Sequence, residues 1–137
     1  MYDVVAEVSF ESAHRLLSYV GKCQLAHGHS MCAEVCLSRW VVCGVGFVID
    51  FGELKKVVKG WVDEHWDHGL LLHEDDPLRK LCEGHAKIYV MPNSLEPTAE
   101  NIAKVLFDVV QEKFPDTRVE YVSVRETPTN IATYRRD

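Results

Sequence analysis

No part of this 137-residue chain can cross a membrane as a helix. Apolar residues make up 47% of it, but they never run together for the ~20 positions a bilayer requires. The opening residues, "MYDVVAEVSFESAH", lack the basic start and apolar stretch of a secretion signal. Both absences predict a cytoplasmic protein with no membrane partner. The five cysteines form no CxxC pair, and an odd count fits a reducing compartment in which thiols stay free. Cys32 and Cys36, and Cys82 before His85, read as ordinary packed or surface thiols. A basic surplus is also missing. Lys and Arg number 15 against 21 Asp and Glu, a net charge of −6. That excludes nucleic acid as the main partner, because phosphate backbones demand a positive surface. It leaves room for a small anionic ligand held by a few local cations. With no linker and no repeat, residues 1–137 read as a single domain.

What is present is alternation. Tyr2, Val4, Ala6, Val8 and Phe10 share one parity, and Asp3, Glu7 and Glu11 the other, the period of a strand with one buried face. The same parity continues through Ser12 to His14. His27, His29, Met31, Ala33, Val35 and Leu37 repeat the pattern. "CGVG", 43–46, predicts a turn and "FVID" a returning strand. Asp50 with Glu53 forms a capping-box signal before an amphipathic helix over 51–65, built on Leu54, Val57, Val58, Trp61 and Val62. Residues 73–96 read as irregular and polar, with a strand-like "KIYVM". Thr98 caps a second helix with Ile102, Val105, Leu106, Val109 and Val110 on its core side, ended by "FPD" at 114–116. A β-rich run at 118–126 pairs with "IATYRR". The expected order is ββααββ. It predicts an α+β fold, an antiparallel sheet with both helices on one face, whose open edges oligomerisation could cover.

His27 and His29 lie two apart on a strand and point to the same side. His14 ends the first strand on its inward parity. If the strands pair, three imidazoles converge. Three neutral histidines with an open fourth position is the pattern of catalytic zinc, whereas a structural site is closed by a fourth ligand, usually cysteine. Cys23 fits either role. It is a fourth ligand, or it is a base or nucleophile beside the metal, its thiolate favoured by nearby cations. Asp67 and His68 fit a proton relay or a simple cap and surface pair. Glu126, at a strand end, fits bidentate reading of an amidine-like heterocycle edge or an exposed charge. His65, His73 and His85 have no such arrangement and read as solvated.

"FESAH" at 10–14, "CQLAHGHS" at 23–30, "WDHGLLL", "EPTAEN" and "VRET" occur in this order. Together they resemble the 6-pyruvoyl-tetrahydropterin synthase / 6-carboxytetrahydropterin synthase family over nearly the whole chain. Within it, the three-residue gap of Cys-x3-His-Gly-His is similar to the bacterial members that serve queuosine and 7-deazaguanine biosynthesis. Pyruvoyl-forming members generally have a longer gap. The resemblance implies the tunnelling (T-) fold, commonly a homohexamer of two trimers around a β-barrel. It implies Zn²⁺ at His14, His27 and His29, Cys23 as catalytic thiol with Asp67 and His68 completing its relay, and Glu126 anchoring the pterin ring. Lys22 and Arg15 are the candidates for the triphosphate.

The implied reaction is a zinc-dependent lyase step. It would convert 7,8-dihydroneopterin triphosphate to 6-carboxy-5,6,7,8-tetrahydropterin, acetaldehyde and triphosphate. The rivals are a pyruvoyl-pterin or folate-linked family member and, from another class, a non-catalytic zinc-stabilised pterin-binding module. Three departures stand out: Ser12 where alanine is frequent, Met31 where an aromatic is frequent, and a long 73–96 segment.

Overall fold

A computed structural model describes residues 1–42 and 44–137. Alternation becomes two long strands, β1 (Tyr2–His14) and β2 (His27–Arg39), paired antiparallel along their whole length. Their inward residues Ala6, Val8, Phe10, Met31, Ala33, Val35 and Leu37 are all buried. After β2 come helix α1 (Phe51–His65), strand β3 (Gly69–Leu72), the single-turn helix α2 (Leu78–Leu81) and strand β4 (Lys87–Val90). Helix α3 (Ala99–Lys113) and the hairpin β5 (Arg118–Thr127) and β6 (Asn130–Arg135) complete the chain.

Both predicted caps form. Asp50 accepts from the Glu53 amide and Thr98 from the Asn101 amide, each closing an orphan donor of the first turn. Leu54, Val58 and Val62 of α1 and Ile102, Val105, Leu106 and Val110 of α3 are fully buried, while Val57, Trp61 and Val109 are partly so. They join the inward face of the sheet in one core, so both helices cover the same face.

The sheet differs from expectation in two respects. It has six strands in the order β4-β3-β1-β2-β5-β6, and it is mixed, because β3 runs parallel to both β1 and β4. "GLLL" carries no alternation because all four residues of β3 are buried; a strand covered on both faces reads as a plain apolar run. The strand expected over 47–50 does not form: Phe47 makes one isolated bridge and Val48–Ile49 bend into the α1 cap. Both edges of β2 are already taken, by β1 and β5, so the segment cannot pair back onto the strand it follows. Of the expected turn at 43–46, residues 44–46 form a turn and Cys43 lies outside the described residues. No helix among the described residues is long and apolar enough to cross a membrane.

Candidate metal centre

The β1–β2 register sets His14 opposite His27 and Ser12 opposite His29. The three rings converge at the end of the inward face, beyond the core. Their centroids are 4.6, 5.1 and 4.9 Å apart and the rings stand edge-on to one another. Nε2 of His14 lies 3.1 Å from Nε2 of His27. Oε1 of Glu126 lies 3.0 Å from Nε2 of His14 and 3.1 Å from Nε2 of His29. These four side chains are the group of potential donors found together among the described residues, with all donor atoms within 4.8 Å of one another.

The other ring nitrogens decide what this cluster can hold. His14 Nδ1 bonds the Pro97 carbonyl at 2.7 Å, and His27 Nδ1 bonds the Leu25 carbonyl at 2.7 Å. A carbonyl only accepts, so both Nδ1 atoms carry a proton, and Nε2 is the ring nitrogen that each histidine offers to a metal. His29 Nε2 is buried and has no hydrogen-bond partner, since its approach to Glu126 lacks hydrogen-bond geometry. Converging ring nitrogens and a carboxylate call for a cation among them. A proton is the poorer candidate at His14: burial lowers its pKa, outweighing the Pro97 bond and the Glu126 charge that raise it. An ion at about 2.0–2.1 Å from each nitrogen would set tetrahedral ligands about 3.3 Å apart, close to the 3.1 Å between the Nε2 atoms of His14 and His27. The residues therefore fit a divalent metal with nitrogen-rich ligands. Carbonyl bonds behind the imidazoles are the usual outer support of such sites.

Glu126 was expected at a strand end; its place beside the histidines was not. The signal was available, since Val122, Val124 and Glu126 share the inward parity of β5 and the valines are fully buried. Cys23 sits in a short 3-10 turn, Lys22–Gln24, and is not part of the four-residue cluster. The fourth donor position is taken by the Glu126 carboxylate, which weakens the reading of Cys23 as a ligand.

Asp67 and His68 do pair. Asp67 Oδ2 accepts from His68 Nδ1 at 2.8 Å, which leaves His68 Nε2 as the free basic nitrogen. Asp67 Oδ1 accepts from the Glu11 amide at 2.8 Å, and the His68 amide donates to the Glu11 carbonyl at 2.6 Å. That amide bond, then the His68 bond, hold the Asp67 carboxyl below its ordinary range. His68 adopts a left-handed backbone with φ 57°, and Gly69 follows because a Cβ there would stand 2.8 Å from the Trp66 carbonyl. The His68 ring is 79% exposed. It borders a cavity of about 440 Å³ shared with Glu11, Gly28, His29 and Ser30. A second cavity of about 560 Å³ lies over His29, Arg125, Glu126 and Pro128. Among the described residues no hydrogen bond joins Cys23 to Asp67 or His68. The cavity of about 550 Å³ at the far end of β2, beside Arg39 and Phe114, holds no comparable donor group.

Of the two triphosphate candidates, Lys22 is exposed, but Arg15 is engaged. It forms a bidentate pair with Asp76, at 2.6 and 2.5 Å, and that carboxylate is fully buried. A guanidinium that spends Nε and Nη2 on a buried carboxylate is a structural tie, with fewer donors left for a phosphate. His65 and His73 are not simply solvated: His65 stacks with Trp61, and His73 Nδ1 accepts from the Asp75 amide. His85 is exposed.

Residues 3–137 match the family model described as 6-pyruvoyl tetrahydropterin synthase. The chain belongs to that family. A Rickettsia bellii protein named 6-carboxy-5,6,7,8-tetrahydropterin synthase is 35% identical over 93% of this chain and 96% of its own. Its Rickettsia felis counterpart of the same name is 41% identical over 75% of each chain. The solved 6-pyruvoyl tetrahydropterin synthase of Caenorhabditis elegans is 29% identical and superposes with a TM-score of 0.71, covering 100% of this chain and 98% of that one. The fold is thus the tunnelling fold of the pterin synthases, and the chain is an enzyme of that kind.

Proposed function

We propose that the chain is a zinc-dependent 6-carboxy-5,6,7,8-tetrahydropterin synthase, acting on 7,8-dihydroneopterin triphosphate in 7-deazaguanine (queuosine) biosynthesis. With water, the reaction would yield the carboxypterin, acetaldehyde and triphosphate. The carrying observation is the convergence of His14, His27, His29 and Glu126, whose donor atoms all lie within 4.8 Å of one another. The relatives named for this activity, and the short Cys-x3-His-Gly-His spacing, favour this product over the pyruvoyl pterin.

A zinc ion held by His14, His27 and His29 would supply Lewis acidity toward the side-chain hydroxyls of the pterin. The protein groups supply the rest. The Cys23 thiolate would take a proton from the substrate side chain. His68, with Nδ1 fixed on Asp67, presents Nε2 as the acid/base partner. Glu126 would accept two parallel N–H bonds from the pterin edge. Lys22 remains the more exposed of the two candidates for the triphosphate. A hexamer of two trimers and a cytoplasmic setting complete the proposal.

Mass spectrometry of the anaerobic product mixture tests the reaction. A carboxypterin with acetaldehyde is expected; a pterin that keeps all three side-chain carbons would move the chain to the pyruvoyl-forming enzymes. Metal binding without any turnover would leave a pterin-binding module.

A further inference from the structure

Residues 15–26 form the connection between two histidines of the metal centre, and Cys23 rides on it in one 3-10 turn. Residues 18–22 and 24–26 are exposed, so the loop has little core of its own to fix the thiol. Its restraint comes from far along the chain. Glu96 accepts the Leu17 amide at 2.9 Å on one carboxylate oxygen and the Ser18 amide at 3.0 Å on the other. The preceding amide, that of Leu16, donates to the Cys23 carbonyl at 2.8 Å. Three consecutive amides thus run from Glu96 to the residue that bears the thiol.

Glu96 itself stands on a firm base. Its carbonyl accepts from the Asn101 side chain and from the Thr98 amide, both at 2.9 Å, at the capped start of α3. The next residue, Pro97, bonds His14. Two adjacent residues therefore hold a metal ligand and the thiol loop on one support. We infer that Glu96 is a positioning residue, which sets the distance of Cys23 from the metal centre by clamping the Leu17 and Ser18 amides. This rests on Cys23 acting in the function proposed above. A carboxylate suits the task because both oxygens accept, whereas an amide accepts at one atom and turns a donor toward the second N–H.

The test uses the full chain with Glu96→Gln and Glu96→Ala. Metal content, iodoacetamide labelling of each cysteine resolved by peptide mass spectrometry, and kcat and KM on dihydroneopterin triphosphate are measured. The inference predicts wild-type metal content and an unchanged Cys32 labelling rate. Cys23 labelling should rise severalfold, and kcat should fall about 10- to 100-fold in Glu96→Ala with little change in KM, the usual effect of a displaced reacting group. Glu96→Gln should fall between, and it keeps one acceptor should the alanine variant fail to fold. Unchanged Cys23 labelling would overturn the inference, and so would a rise shared equally by Cys32. Labelling and metal content are read without substrate, so a wild-type chain that makes no carboxypterin would sink the proposed function while leaving this test decisive.

Discussion

Replacing Asp67 with asparagine probes the site with almost no change in shape. The Glu11 amide can only donate, so it captures the side-chain oxygen at the position Asp67 Oδ1 now holds. The amide nitrogen is then left facing His68 Nδ1, where the carboxylate accepted at 2.8 Å. Two N–H groups cannot share that contact. His68 must move its proton to Nε2, which removes the lone pair from the ring nitrogen that Asp67 does not hold. Loss of a general acid–base group usually lowers turnover by ~10²–10⁴-fold, and the wrong tautomer should fall in that range. KM should change little, because the side chain holds no predicted substrate contact. The assay is kcat on dihydroneopterin triphosphate beside ¹⁵N NMR of the His68 ring. A kcat within about threefold of wild type, or a His68 that keeps its Nδ1 proton, would refute the relay.

Cys23→Ala should keep its metal and lose most turnover; loss of the metal instead would make Cys23 a ligand. Glu126→Gln separates two roles by its readout: a raised KM with full metal marks the pterin anchor, at roughly 1–3 kcal/mol for an unpaired buried group, whereas lowered metal content marks a ligand. Asp76→Asn breaks a pair whose carboxylate is fully buried, and should cost about 3–5 kcal/mol in denaturant melts. Burial pushes the Asp76 carboxyl up, but the bonds from Arg15 and the Leu78 amide outweigh it and hold it below its ordinary 3.8. The wild-type contribution is therefore present at neutral pH and lost as pH falls below the ordinary carboxylate range. The variant should show a flatter acid limb, and an unchanged limb would dismiss the tie.

The parts of this site that follow strand parity were legible from the residues. His14, His27 and His29 lie on inward positions of β1 and β2, so their meeting required only that the strands pair. The helix limits were legible for the same local reason, since caps and apolar spacing act within one turn. What stayed hidden is carried by the backbone or by distant contacts. The carbonyls of Pro97 and Leu25 that fix two imidazoles have no side-chain signature. β3 gave no alternation because both its faces are covered, so its parallel pairing with β1 was invisible. Arg15 looked like a free cation because its partner lies 61 positions away in a segment that read as irregular.

Metal analysis of the purified chain by inductively coupled plasma mass spectrometry, with and without His27→Ala, tests the centre most directly. Wild type should carry one zinc per chain, and His27→Ala should lose nearly all of it while keeping its fold by circular dichroism. Full zinc in His27→Ala, or a wild type that binds no zinc when reconstituted, would contradict the metal centre described for His14, His27 and His29.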